Sequence, residues 1–239
     1  MGYRIGAVQT QDIQGDISTA LRVIQKAMNR ADNEKIDVLC FPECFLQGYT
    51  LDSQETKERA LNLESPDFKK ILSSLRQYKV TTILGVIEKD EERYYNTAAV
   101  IRQGKILGIY RKVHLFEHNF HPGKSYPIFT IDGLSFGINI CYDARFSEGA
   151  IQLSERGAKV IFYPLNNRLP IEKAVSYHDK HVPNLVERAK ESGCWVISSD
   201  VIAQDSTHTG FGYTTITTPQ GKTIDYVPEL SGGMIVTEI

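Results

Sequence analysis

With 239 residues, 41% of them hydrophobic and 23% charged, the chain has the make-up of an ordinary folded protein and length enough to bury a large core. A net charge of −2 gives no electrostatic reason to bind nucleic acid or an anionic membrane surface. No apolar run reaches the roughly 18 to 20 residues of a membrane helix, the opening MGYRIGAVQT lacks a secretion signal, and four cysteines do not make a disulfide framework, so reduced thiols in a cytoplasm are expected.

The predicted elements alternate. Tyr3–Gln9 reads as a strand, and GDISTALRVIQKAMNRADNEK as a helix with Leu21, Ile24 and Met28 on one face and Asp16 as N-cap. IDVLCF is a second strand, apolar throughout as a strand covered on both faces tends to be. A helix over Ser65–Tyr78 starts at Pro66, and TTILGVIE is a third strand. Strand then follows strand: NTAAVI and ILGIYRK form a hairpin around Gln103-Gly104, and FTIDGLSFGINI forms another around Asp132-Gly133. Next come a helix over Glu148–Arg156, the strand KVIFYP, a loop at Asn166-Asn167, a helix over Pro183–Glu191 and the strand CWVISSD. GYTTITTPQGKTIDYV is a last hairpin and GGMIVTEI a last strand. Mixed hairpins and crossover helices imply one α/β domain over residues 1–239, with a mixed sheet or two sheets and helices outside, and no GxGxxG follows the first strand.

Three of these strands end in polar residues. VLCFPE ends in Glu43, ILGIYRK in Lys112 and FGINIC in Cys141. Strand ends are where rigid elements present side chains to an open edge. A thiol is mostly protonated at neutral pH and needs a base or a cation to become a nucleophile. Glu43 has the chemistry of that base, and Lys112 can stabilise a thiolate and an oxyanion. The main-chain N–H of Tyr142 is a second oxyanion donor. Taken singly, each has an ordinary explanation: a core thiol, a solvated lysine, a helix-capping glutamate. Spacing alone does not bring them together.

The segments FPECFLQGY, YRKVHLF and NICYDARF resemble, in order, the glutamate, lysine and cysteine motifs of the nitrilase, or carbon–nitrogen hydrolase, superfamily, and the likeness runs over essentially the whole chain. The resemblance implies a four-layer α-β-β-α sandwich of two mixed sheets with outer helices, and a homodimer. It implies Glu43 as general base, Lys112 as stabiliser of the tetrahedral intermediate and Cys141 as nucleophile, with no cofactor. The segment EHNFHPG matches a second-glutamate pattern, which makes Glu117 a residue that positions substrate and nucleophile. Tyr142-Asp143 after the cysteine resembles the amidase and carbamoylase branches, whereas nitrile-hydrolysing members typically carry Trp-Glu there. Ser147 departs from the pattern, standing where many relatives have proline. Asp143 is expected to hold the local turn, and Arg145 to serve either a structural ion pair or the substrate.

The expected reaction is hydrolysis of a small amide, or an N-carbamoyl compound, by water through a Cys141 thioester, with release of ammonia. A nitrile-hydrolysing enzyme and a non-catalytic binding protein on the same fold stay open as alternatives. Tyr49, His114, Tyr142, Asn166 and Arg168, with Asn167, are candidates for the acyl pocket, and an arginine there suits a carboxylate. No HExxH occurs, and Cys40 and Cys44 lack a second pair for zinc, so no metal is expected; Cys40, Cys44 and Cys194 read as packed thiols.

Overall fold

The computed structural model describes residues 2–239. In the first sheet β1 (Arg4–Gln11), β2 (Val38–Cys40) and β3 (Thr81–Asp90) run parallel, and β4 (Arg93–Arg102) and β5 (Lys105–Arg111) extend the edge as antiparallel hairpins. The second sheet begins with the hairpin of β6 (Phe129–Ile131) and β7 (Leu134–Ile138), to which β8 (Val160–Pro164) adds in parallel. β9 (Leu169–Pro170) returns to the first sheet, and β10 (Trp195–Ser199) lies beside β8 in the second. At Asp200 the chain crosses sheets again, into β11 (Val201–Gln204), which joins β1, and then β12 (His208–Gly210), which pairs with β11 and β9. β13 (Thr215–Thr217) and β14 (Thr223–Tyr226) complete the second sheet, and β15 (Gly233–Glu238) runs antiparallel along β1.

Side-chain alternation explains the layering. Along β2 and β3, Val38, Cys40 and Ile83 point into the core between the sheets, where they meet Phe136, Ile138, Val160 and Phe162. Their neighbours Leu39, Leu84 and Val86 point the other way, onto α1 (Ile17–Asn33) and, beyond α2 (Ser53–Arg59), α3 (Pro66–Ser74), through Ile24, Met28, Phe68 and Ile71. The far side of the second sheet is covered by α4 (Ser147–Glu155) and, after α5 (Ile171–Tyr177), α6 (His181–Ser192), with Leu153, Leu185 and Ala189 buried. The result is the expected α-β-β-α sandwich. Among the described residues no helix is long and apolar enough to cross a membrane.

Local chemistry sets the element ends. Asp16 caps α1 by accepting the Thr19 N–H at 3.0 Å. Gln103 and Gly104 both take positive φ (49° and 72°), as do Asp132 and Gly133 (50° and 95°), which is what two-residue hairpin turns demand. The helix expected to reach Tyr78 stops at Ser74 instead, because the chain must turn back into β3 and Asp32 accepts the Val80 N–H at 2.8 Å there. α2 was not foreseen: SQETKER has no apolar stripe and is held by Asp52, which accepts from Gln54 N and Glu55 N. The strand expected over Cys194–Asp200 is β10, ending at Ser199, whereas β11 in the other sheet was not foreseen, since SSDVIAQ carries no turn residue at the crossing.

Directional bonds join the sheets at this crossing. Ser199 Oγ donates to the Val8 carbonyl at 2.6 Å and Glu43 N to the Leu165 carbonyl at 3.0 Å, while within the second sheet Leu165 N donates to the Ser199 carbonyl at 2.8 Å. On β3, Gly85 lies directly under the Glu43 segment: its carbonyl accepts Leu46 N at 3.1 Å, and a methyl group there would overlap main-chain atoms of Pro42, Glu43 and Cys44. Gly85→Ala is therefore expected to displace Glu43, with a lower melting temperature from about 1–3 kcal/mol of overpacking and on the order of 100-fold lower turnover. Thermal denaturation and activity assays read the two effects together.

Candidate active site

Lys112 beyond β5 and Cys141 beyond β7 open onto a cavity of about 760 Å³, and Glu43 beyond β2 is buried behind Lys112. Glu43 follows β2, Lys112 follows β5, and Cys141 lies beyond β7 on the first residue of a short 3-10 turn, Cys141–Arg145. Lys112 is 1% exposed, yet its ammonium is paired with two carboxylates: Nζ stands 2.8 Å from Glu43 Oε1 and 2.6 Å from Glu117 Oε1. Glu117 reaches the same ammonium because the loop after β5 folds back, Gly123 N donating to the Lys112 carbonyl at 2.8 Å and His121 N to the Tyr94 carbonyl at 2.8 Å. A side chain at Gly123 would overlap Arg111, so the Pro122-Gly123 turn is what allows the return.

The two carboxylates are treated differently. Glu117 Oε1 takes Lys112 and the Asn96 amide (3.2 Å), and Oε2 takes the Phe116 N–H at 2.9 Å, with the Tyr49 hydroxyl as a further donor. Burial raises the Glu117 pKa, but Lys112 and these donors outweigh it and the net value falls. Glu43 Oε1 takes Lys112 and Asn96 Nδ2 at 2.7 Å, while its Oε2 is buried with no partner. Burial, with the negative charge of Glu117 beside it, pushes Glu43 up to about 7. Lys112 stays charged, because the carboxylates overcome a burial that would otherwise strip its proton. The site thus holds one ammonium, one settled carboxylate and one carboxylate that titrates near neutrality, with a bare oxygen.

Cys141 lines the cavity together with Lys112. Its φ of 43° is unusual for a residue with a side chain and forms a sharp corner between strand and turn. Burial and the Glu43 charge push the thiol well above its usual value, while Lys112 and the Asn166 main-chain N–H pull it down. Among charged groups, Glu43 exerts the largest influence on it. Asp143 holds the corner from below: Oδ2 accepts Ile140 N at 2.8 Å and the Tyr110 hydroxyl at 2.7 Å, and Oδ1 accepts His114 N at 2.8 Å.

Tyr49, Tyr142, Asn166, Asn167 and Arg168 all line the cavity. His114 does not. Its imidazole sits 3.1 Å from Asp143 Oδ1 and stacks on Phe146 with centroids 4.0 Å apart, so it braces the turn rather than facing a ligand. Arg168 is at the wall, but Asp205 at 2.9 Å and Asp12 at 3.6 Å already occupy its guanidinium. Asn166 Nδ2 bonds Asp12 at 3.2 Å, and Asn167 bonds the buried Asp200, whose carboxyl also accepts Val201 N and Tyr213 N. Arg145, left undecided by the sequence, lies on the cavity wall with no ion pair among the described residues. His181, on the same wall, stacks on Tyr213 at 4.5 Å, and burial lowers it to about 4, so it is neutral at pH 7 with Nε2 unpartnered. Sequence reasoning missed Asn96, Tyr110, Asp12, Asp200 and His181. An asparagine inside an apolar strand was the one available signal. Among the described residues no three His, Cys, Asp or Glu side chains converge as metal ligands.

The carbon-nitrogen hydrolase profile matches residues 4–239. The chain belongs to the carbon-nitrogen hydrolase family. As a member of this family, within the nitrilase superfamily, it is a hydrolase of carbon–nitrogen bonds. It is 27% identical to a nitrilase of Pyrococcus abyssi over 221 residues, covering 90% of this chain and 81% of that protein. It is 33% identical to an omega-amidase of Saccharomyces cerevisiae over 172 residues, covering 64% of this chain and 58% of that one. The crystal structure of an amidase from Nesterenkonia sp. superposes with a TM-score of 0.84, spanning 99% of this chain and 90% of the other, and at 22% identity this likeness concerns the fold.

Replacing Lys112 by Met leaves two buried carboxylates without a cation. A loss of about 3–5 kcal/mol in unfolding free energy at pH 8 is expected. Both carboxyls would then titrate above their unfolded values, so protonation relieves the defect and the loss shrinks toward pH 5. Urea denaturation of Lys112→Met at the two pH values checks the sign.

Proposed function

We propose that this hydrolase cleaves small amides through a Cys141 thioester, with Glu43 as general base. The observation that carries the reading is Glu43 Oε2, a buried carboxylate oxygen with no partner, on a group raised to about 7 whose charge acts on the Cys141 thiol and holds it protonated. As Sγ attacks the amide carbon, its proton passes to that oxygen. Lysine has three N–H donors and Lys112 spends two on Glu43 and Glu117, leaving the third for the oxyanion. The Tyr142 N–H, at the start of the 3-10 turn where main-chain donors lack internal partners, is the second. Each such donor is worth about 3 kcal/mol in the transition state. The proton on Glu43 then goes to the departing nitrogen and ammonia leaves. Water, deprotonated by the same oxygen, attacks the thioester, releasing the acid and restoring the thiol. Nothing in this sequence calls for a cofactor, and residues 1–239 act as one unit. The homodimer and the cytoplasmic setting belong to the same reading.

Arg145 supports a substrate that carries a carboxylate at the end away from the amide. It is the wall arginine free of ion pairs, whereas Arg59 is held by Glu55 at 2.8 Å and Arg168 by Asp205. The neutral His181 beside it supplies a hydrogen bond without charge. Arg145→Gln is expected to lower kcat/KM for monoamides of dicarboxylic acids about 10- to 100-fold while leaving neutral aliphatic amides nearly unchanged. Equal losses on both substrate types would remove Arg145 from specificity.

The mechanism is tested by an ammonia-release screen across such monoamides, aliphatic amides, N-carbamoyl amino acids and nitriles. Cys141→Ala serves as control, and hydroxylamine traps the acyl group. Preference for nitriles would favour the chemistry named for the Pyrococcus relative. Glu43 works in its ionised form, so kcat/KM for the best substrate should climb with pH through about 7 and then stay level until the thiol itself titrates. Glu43→Gln should abolish the activity. Undiminished ammonia release by Cys141→Ala defeats the whole scheme.

A further inference from the structure

We infer that Asn96 is a positioning residue of this site: its side-chain amide grips Oε1 of both Glu43 and Glu117, and so turns the other oxygen of Glu43 bare toward the reacting thiol. The inference rests on Glu43 acting as the base. Asn96 lies on β4, fully surrounded, at a strand position where an apolar or β-branched residue would be expected. Its backbone needs no amide side chain, since the ladder of β4 with β3 and β5 satisfies the strand. Every polar atom of the side chain has a use. Nδ2 has two hydrogens and two carboxylate acceptors, at 2.7 Å and 3.2 Å. Oδ1 accepts the Cys44 thiol at 3.3 Å. Turned over, the amide would aim its oxygen at two carboxylate oxygens and its nitrogen at a thiol, so only one orientation is stable. The Asn96 carbonyl also accepts Lys112 N at 2.9 Å, so one residue fixes the lysine by its main chain and both acids by its side chain.

The groups facing Glu43 are Lys112 beyond β5, Glu117 on the return loop with Tyr49 behind it, Cys44 on its own segment, Cys141 from the second sheet, and Asn96 from β4. Among these Asn96 is the one neutral donor to both carboxylates. Without it, ionised Glu43 keeps a single donor and its carboxyl is free to rotate.

The test compares Asn96→Ala and the near-isosteric, uncharged Asn96→Leu with unaltered protein, on the best amide from the screen and on correctly folded material. Expected are a kcat lower by about 10- to 100-fold from lost alignment, a KM within about twofold as befits a residue off the substrate, and an acidic limb moved up by about one pH unit. A merely structural asparagine would lower activity without moving the limb. A folded variant whose limb stays in place overturns the inference. If neither variant folds, Cys44→Ala decides: it removes the donor on Oδ1 and loosens the amide's grip, so the limb shifts the same way by less, and an unmoved limb overturns the inference equally. Glu43→Gln keeps the two levels apart. Activity surviving there defeats the base, whereas an inactive Glu43→Gln with an unmoved limb in the asparagine variants defeats Asn96 alone.

Discussion

One ammonium buried between two carboxylates is the interaction on which the rest depends. A lysine that is 1% exposed would lose its proton if it stood alone, and two acids packed together would each keep theirs. Combined, they leave one negative charge too many for one cation, and the surplus is settled by counting donors. Glu117 collects Lys112, Asn96, the Phe116 N–H and Tyr49, whereas Glu43 collects Lys112 and Asn96 only. The acid with fewer donors carries the proton more readily. A carboxylate that titrates near neutral pH thus follows from an arrangement that looks, at first sight, like a stabilising salt bridge.

That arrangement is assembled by backbone geometry. The ends of three strands supply the three groups, and each is held by a local device. Gly85 lets the Glu43 segment sit against β3, Pro122-Gly123 sends the Glu117 loop back over Lys112, and Asp143 anchors the corner at Cys141. Asp143 draws on β7, β5 and the following loop at once through Ile140, Tyr110 and His114. His114, expected in the pocket, belongs to this scaffold because its ring nitrogen and its main-chain N–H both find the same carboxylate.

Much of this was legible in the chain. Alternation on β2 and β3, Asp16 before an amphipathic helix, and Gly at the hairpin turns all act over a few residues, and the elements they specify formed close to where they were expected. The fold class, and the candidate set Glu43, Lys112, Glu117 and Cys141, came from three motifs together with a resemblance, since contact between residues so far apart leaves no local trace. What stayed hidden depends on tertiary partners. α2 has no apolar face to announce it, and Asp200 sits in an apolar run that changes sheets without a turn residue. Arg168 looks like a free cation until Asp12 and Asp205 arrive from elsewhere in the chain. Asn96 looks like a minor flaw in a strand until both acids are in place.

The bonds that cross from one sheet to the other at Ser199, Leu165 and Glu43 carry a consequence for how the enzyme tolerates change. Cys141 and Glu43 ride on separate slabs. Greasy contact between slabs is indifferent to sideways slip of a fraction of an ångström, because it has no direction, but proton transfer is not. Two short links therefore act as dowels between two planks: the apolar filling is free to drift over evolutionary time while the gap between Glu43 and Cys141 keeps its width.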